Sequence, residues 1–482
     1  MKISKTLTRI LLGGLTALLL PALALAQAPP VADLPDEPVS PQERQMALME
    51  ARILSRQGDL PKSLALYEQE RREYPDDQEV YEDYLETLAG SGEYERLFYE
   101  LERFRRTFGH TPRSERIEAG VYAALGRPQY GLDVLERAQR GNPSDMGIWS
   151  DIGFQRQAAR DVNGAIQAFS EVLDHDPDNQ AAREALHGLL LEQRPRSEVG
   201  FNYYDQGQGA ATSTASLECS MPVGDDTRLF TEYDQVHVSR SGGGEHLDAD
   251  IGVLGARLEH RPTRDLTLMA GIQPYIGLGD GLAPMAGLRY DLEDYGRVSA
   301  NYAYHLPWYD EIQAAGLRGN QDRLRLEYEL PFRQVWTAYA AYERENYRLG
   351  DDDFGSRWEA TGSLSRRVWE NPDVYLTYTF QRAEFSNDYG DGVPFEMIHR
   401  ELSHTGTVTV VKELTDWLEA SVSGGIKHDY ERHVEALMLS PRLVYHPLAR
   451  LRVSLGWDYS SESDSSLSGE TNNYSAQIAW TW

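Results

Sequence analysis

The sequence predicts an α+β multidomain chain: an N-terminal α-solenoid followed by a transmembrane antiparallel β-barrel of about 16 strands. Three observations predict it. A 34-residue recurrence runs from about residue 43 to 178, and past Pro195 the apolar pattern switches to a period of two. The chain also opens with a leader-type segment, and no later apolar run is long enough to cross a bilayer as a helix, so only a closed barrel could span one. The expected divisions are 1–26 signal peptide, 27–42 linker, 43–195 repeat domain with a capping helix, and 196–482 barrel.

Lys2, Lys5 and Arg9 precede an apolar stretch from Ile10 to Leu25, which ends in the small-x-small signal Ala24-Leu25-Ala26. Cleavage there would leave Gln27 as the first residue. No Cys stands at the cleavage site, so a lipid anchor is not expected. Cys219 is the single cysteine and cannot form an intramolecular disulfide, so stability must come from packing and strand pairing.

In the repeat region Gly58, Gly92 and Gly126 recur where a first helix must be broken, with Arg160-Asp161 in the fourth slot. Pro75, Pro143 and Pro177 close second helices, and Gly109 fills the remaining slot. Tyr67, Leu101, Leu135 and Phe169 recur as large inward residues, facing Ala51, Leu85, Ala119 and Gly153. The fourth unit, with Trp149, Gly153, Phe154, Ala165, Phe169 and Pro177, resembles a tetratricopeptide repeat. The amphipathic segment Asn179 to Gln193 is expected to cap the stack. Such a groove is expected to hold a periplasmic protein partner. The basic cluster Arg103, Arg105 and Arg106 beside Phe104 reads equally well as a solvated helix face.

Beyond Pro195, Leu324, Leu326, Tyr328 and Leu330 alternate with Arg323, Arg325, Glu327 and Glu329, and Leu451 to Tyr459 repeat the pattern. Aliphatics on one face and charges on the other suit lipid outside and water inside. The last strand carries Tyr474, Ala476, Ile478, Trp480 and Trp482 on one face, an apolar stripe ending in a terminal aromatic. Tyr474, Ile478, Trp480 and Trp482 are therefore the expected signal to the barrel assembly machinery. Short turns are expected at the periplasmic end, with longer loops near 239–246, 275–283, 306–320, 344–354, 385–397, 428–433 and 461–472 at the other. The stretch Leu306–Asn320 is too apolar for a solvated loop and is expected to fold over or into the pore.

The formal charge of −29 excludes a general polyanion binder such as a nucleic-acid protein. From Arg196 onward there are 25 Lys and Arg against 44 Asp and Glu, so 25 − 44 = −19 of that charge lies in the barrel half. The expected pore-lining residues are Glu232, Asp234, Asp291, Arg323, Arg325, Glu327, Glu329, Glu359, Glu419 and Asp458. No nucleophile-base motif, zinc motif or phosphate-binding glycine loop is present, so neither enzyme activity nor a cofactor or metal is expected. His428 with His433, and the run Asp351 to Asp353, read as ordinary loop residues.

With both halves in hand, the chain from Gly58 through Trp482 resembles the outer-membrane exopolysaccharide export porins of the poly-N-acetylglucosamine and Pel type. That resemblance implies a barrel in the outer membrane, a repeat domain in the periplasm that docks a modifying enzyme, and polysaccharide as cargo. The surface lipoprotein assembly modulators, which join a small repeat domain to a fourteen-strand barrel, are the alternative, and an outer-membrane receptor or adhesin is the third reading.

Overall fold

The computed structural model describes residues 40–482 except 208, 225, 243–244, 278, 333–334, 388–394, 396 and 463–468. The expected signal peptide 1–26, and the linker up to residue 39, lie outside the described residues.

The chain divides into two compact units, one ending at Leu66 and one beginning at Tyr67. In the first, helix α1 (Pro41–Gln57) starts two residues before the expected boundary because Ser40 caps it. Glu43 N donates to Ser40 Oγ at 3.3 Å and Ser40 N donates to Glu43 Oε2 at 2.9 Å, which satisfies two of the orphan amides of the first turn. Helix α2 (Leu60–Glu73) follows, and Ser63 donates to the Ala51 carbonyl at 2.8 Å.

The second unit continues with α3 (Gln78–Ser91), α4 (Tyr94–Phe108), α5 (Pro112–Ala124), α6 (Pro128–Gly141), α7 (Met146–Ala158), α8 (Val162–His175) and α9 (Gln180–Glu192). Asp77, Thr111, Asp145, Asp161 and Asn179 cap α3, α5, α7, α8 and α9 through their side chains. The predicted helix breaks at Gly92, Gly126 and Arg160 have φ of 75°, 73° and 61°, the left-handed conformation that ends a helix and that glycine adopts without a Cβ penalty. Leu101, Leu135 and Phe169 are 1% exposed or less, as expected of inward knobs. Gly153 is small because it faces Phe169: a Cβ there would stand 2.6 Å from the ring. Ala182 and Leu189 of α9, the segment expected as the cap, pack on Ala165, Phe169 and Val172 of α8. No helix of the described residues is long and apolar enough to cross a membrane.

Sixteen antiparallel strands follow: β1 (Arg196–Gly207), β2 (Ala210–Gly224), β3 (Thr227–Gly242), β4 (Glu245–His260), β5 (Leu266–Ile276), β6 (Gly281–Asp291), β7 (Arg297–Pro307), β8 (Gly319–Phe332), β9 (Trp336–Leu349), β10 (Asp352–Trp369), β11 (Asp373–Asn387), β12 (Arg400–Thr415), β13 (Leu418–Asp429), β14 (Val434–Leu448), β15 (Leu451–Ser460) and β16 (Thr471–Thr481). Each pairs with its sequence neighbours. β16 closes on β1 from Arg196↔Thr481 to Asp205↔Asn472, leaving no open edge.

Val199, Phe201, Leu217, Leu254, Leu288, Leu326, Leu376, Val408, Leu443 and Ile478 are all exposed and share the outward face, while residues of opposite parity face the lumen. The end carrying Arg196 and Thr481 is called proximal below. Two expected distal loops shrink. β9 and β10 meet at Gly350-Asp351 instead of leaving a loop over 344–354, and β3 runs to Gly242 with β4 resuming at Glu245. Residues 344–349 resemble a loop because they are polar, but Glu345 is buried against Arg323, so their polarity belongs to a strand with a charged inner face.

Candidate functional site

The register sets all ten expected residues, Glu232, Asp234, Asp291, Arg323, Arg325, Glu327, Glu329, Glu359, Glu419 and Asp458, on the inner face. They do not form one cluster. On β8 to β10 the charges interlock: Arg323 lies 2.9 Å from Glu345 and 3.3 Å from Glu343, Arg325 lies 3.1 Å from Glu343, and Arg357 lies 2.5 Å from Glu359. Tyr339 donates to Glu327 at 2.7 Å and accepts from Arg325 at 3.1 Å. Three arginines thus stand among four carboxylates, each arginine paired. Asp458 lies 3.8 Å from Arg442. Sequence reasoning missed Glu343 and Glu345; strict alternation continued from Tyr339 would have found both.

The other wall differs. Glu198, Glu218 and Glu232 are direct cross-strand partners on β1, β2 and β3, with Asp234 two residues beyond. Glu198 pairs with Arg196 and Glu232 accepts from Gln273. Glu218 and Asp234 have no cation partner among the described residues. Like charges set directly opposite one another destabilise a sheet, so the lumen carries its surplus negative potential here.

A segment between β7 and β8 crosses the distal half of the lumen. It turns inward at His305 and back at Arg318, non-glycine residues with φ of 61° and 59°, and His305 N donates to Asp322 at 2.9 Å. Between them lies the short helix α10 (Ile312–Gly316). Ile312 and Ala315 pack on Val236, Val238, Ile251 and Val253 of one wall, while Trp308 and Ala314 pack on Tyr347, Leu349, Phe354 and Phe385 of the opposite one. The Trp308 ring centroid is 4.3 Å from that of Tyr347. The apolar stretch 306–320 therefore folds into the barrel.

The proximal end is fastened to the helices. Asp294, in the 3-10 turn Glu293–Tyr295 between β6 and β7, accepts from Gln129 N at 3.0 Å and Tyr130 N at 3.2 Å, the free amides of the first turn of α6. It is 8% exposed, and burial raises its carboxyl above the usual aspartate range against the lowering effect of the two donors. Asp291 and Glu329 line a cleft of about 200 Å³ beside Leu132, Arg160 and Arg297, so they belong to this mouth and not to mid-lumen. Arg228 donates to the carbonyls of Glu192 at 2.9 Å and Arg194 at 3.1 Å.

Tyr474, Ile478 and Trp480 point outward from β16. Trp482 lies just past it, where its N–H donates to the Pro195 carbonyl at 2.9 Å and its indole to Ser197 at 3.1 Å. In the helical region Arg105 pairs with Glu115 and Glu118, and Arg103 with Glu100, so that basic cluster is largely neutralised. His428 lies 3.6 Å from Glu435 on the outer face, and Arg348 lies 3.5 Å from Asp353. Among the described residues no three His, Cys, Asp or Glu gather as a metal site.

No family model matches the chain, and no curated protein matches it. Solved structures do. A bacterial polysaccharide outer membrane secretin is 10% identical over 60% of this chain and 99% of its own, with a TM-score of 0.50. The outer membrane channel DcaP of Acinetobacter baumannii is 13% identical over 60% of this chain and 96% of its own, at a TM-score of 0.32. MamA from Desulfovibrio magneticus RS-1 is 17% identical over 31% of this chain and 84% of its own, at 0.27. The first of these likenesses establishes a shared barrel fold.

Proposed function

We propose that the chain is an outer-membrane export channel for an exopolysaccharide, its repeat domain (43–195) standing in the periplasm and its barrel (196–482) in the membrane. The observation that carries this reading is the two-faced closed barrel: aliphatic outside, charge-lined inside, and fastened at one mouth to a helical stack. The outer face is what a hydrocarbon environment demands of a strand wall, and the inner face is what a hydrated polymer needs. The likeness to a polysaccharide outer membrane secretin supports the cargo. Sixteen strands favour this reading over lipoprotein assembly, whose barrel has fourteen.

In this reading polymer enters at the proximal mouth, guided by the repeats, which dock a modifying enzyme. It passes the acidic arc Glu198, Glu218, Glu232 and Asp234, which favours neutral or partly cationic chains over polyanions. The plug 306–320 must shift for it to leave. Two tests apply. A deletion strain should retain its polysaccharide in the periplasm and release it again with the full chain restored; unchanged release rejects the cargo. The purified chain in planar bilayers should be cation-selective, and neutralising the four arc carboxylates to Gln or Asn should abolish that preference. Anion selectivity of the parent rejects the acidic-lumen mechanism.

A further inference from the structure

The outer face of β9 to β12 changes character along its length. Ala338, Ala340, Leu364, Leu376 and Val408 give it an apolar band near the proximal end and the middle. Immediately distal to that band the register aligns Arg344 with Trp358, Trp358 with Glu384, and Glu384 with Arg400, with Arg382 one row closer to the band. The three arginines are exposed. Arg400 lies 3.3 Å from Glu384, and the Arg382 guanidinium stands 5.7 Å from the Trp358 ring centroid. Among the described residues neither Arg344 nor Arg382 has an ion pair. Three arginines thus face one carboxylate, on a chain whose formal charge is −29. On β4 the outer face near the distal end carries Asp248 and Asp250 instead, so the basic surplus belongs to a sector and not to the whole rim.

Arginine on a lipid-facing wall is unfavourable unless it reaches the headgroup layer, and there it is drawn to anions at about 1 kcal/mol per side chain. Its planar fork donates two parallel hydrogen bonds to a phosphate, a geometry that an ammonium cannot match. Trp358 sits where an indole marks the membrane-water boundary. Arg344 and Arg382 lie two strands and one row apart, about 12 Å between backbones, a spacing that suits two phosphates of one large headgroup.

From this juxtaposition we infer that the outer wall of β9 to β12 is a binding site for a phosphorylated lipid headgroup in the distal leaflet. The inference rests on the membrane reading above. It commits to a lipid and not to free phosphate, because the cations adjoin an apolar band that would hold acyl chains.

The test uses the full chain in phosphatidylcholine vesicles doped with an acylated glucosamine disaccharide bearing two phosphates, or with the same lipid dephosphorylated. Lipid retained through detergent extraction is counted by native mass spectrometry. The phosphorylated form should be retained at least about tenfold better, and Arg344→Ser with Arg382→Ser should remove that preference. Arg366→Ser, on the outer face of β10 at its proximal end, should leave it unchanged. Equal retention of the two lipids overturns the inference, and this comparison stands on the parental chain even if the double variant does not fold. Full displacement by inorganic phosphate assigns the patch to a free anion and overturns the lipid. A chain that enters no vesicle overturns the membrane reading and this inference with it; insertion with phosphate-indifferent retention overturns this inference alone.

Discussion

Removing the Asp294 carboxylate should loosen the joint between the helical stack and the barrel. Its two acceptor contacts, at 3.0 Å and 3.2 Å, serve amides that have no intrahelical partner. A side-chain cap contributes about 1 kcal/mol and a hydrogen bond to a buried charge about 1.5–3 kcal/mol. The cost of burying the charge, seen in the raised carboxyl, offsets part of this, leaving about 1.5–2 kcal/mol, or roughly a 10–30-fold shift toward the opened joint. The sign with pH follows. A carboxyl raised in the docked state takes up a proton on docking, so docking is strongest below the ordinary aspartate value of 3.8 and weakens as pH rises through the raised one. The assay is hydrogen exchange at the Gln129 and Tyr130 amides. Asp294→Ala should accelerate both by the stated factor at neutral pH, and Asp294→Asn, which keeps an acceptor, should do so less. A cysteine pair replacing Tyr130 and Tyr295, whose hydroxyls are 3.4 Å apart, should cross-link more slowly in the Ala background. If exchange at these two amides is unchanged in Asp294→Ala, the carboxylate is not the latch and the reasoning fails.

Trp308→Ala should empty the centre of the plug's aromatic cluster, costing about 3–5 kcal/mol locally and raising conductance in planar bilayers; parental conductance would show that the plug does not depend on this ring. Gly153→Leu should lower the thermal midpoint of the helical signal in circular dichroism, since its Cβ alone would meet Phe169 at 2.6 Å, an overpacking worth about 1–3 kcal/mol. Trp482→Asp should block membrane assembly, read as loss of the heat-modifiable barrel band; a normal band would remove the terminal aromatic from the assembly signal. Glu345→Gln should remove one carboxylate from between Arg323 and Arg357, which keep Glu343 and Glu359, and shift ion selectivity toward anions, whereas Glu384→Gln on the outer face should not.

The sequence by itself determined the elements. Period determines which face of a helix or strand is apolar, and both periods are written in consecutive residues: Gly58, Gly92 and Gly126 mark helix ends, and the alternation from Arg323 to Leu330 assigns each side chain to a face. That is why all ten lumen candidates lie on the inner face and why sixteen strands were countable. The tertiary structure alone decided which charges meet. Glu343 and Glu345 neutralise arginines of adjacent strands, while Glu218 and Asp234 meet no cation among the described residues, because pairing depends on register between strands and not on spacing along one. It also decided that Asp294 reaches an α6 amide some 165 positions away, and that Arg344, Arg382 and Arg400 share a patch. Local propensity carries no record of such contacts. They arise only when the closed sheet and the helices packed on its mouth bring distant segments side by side.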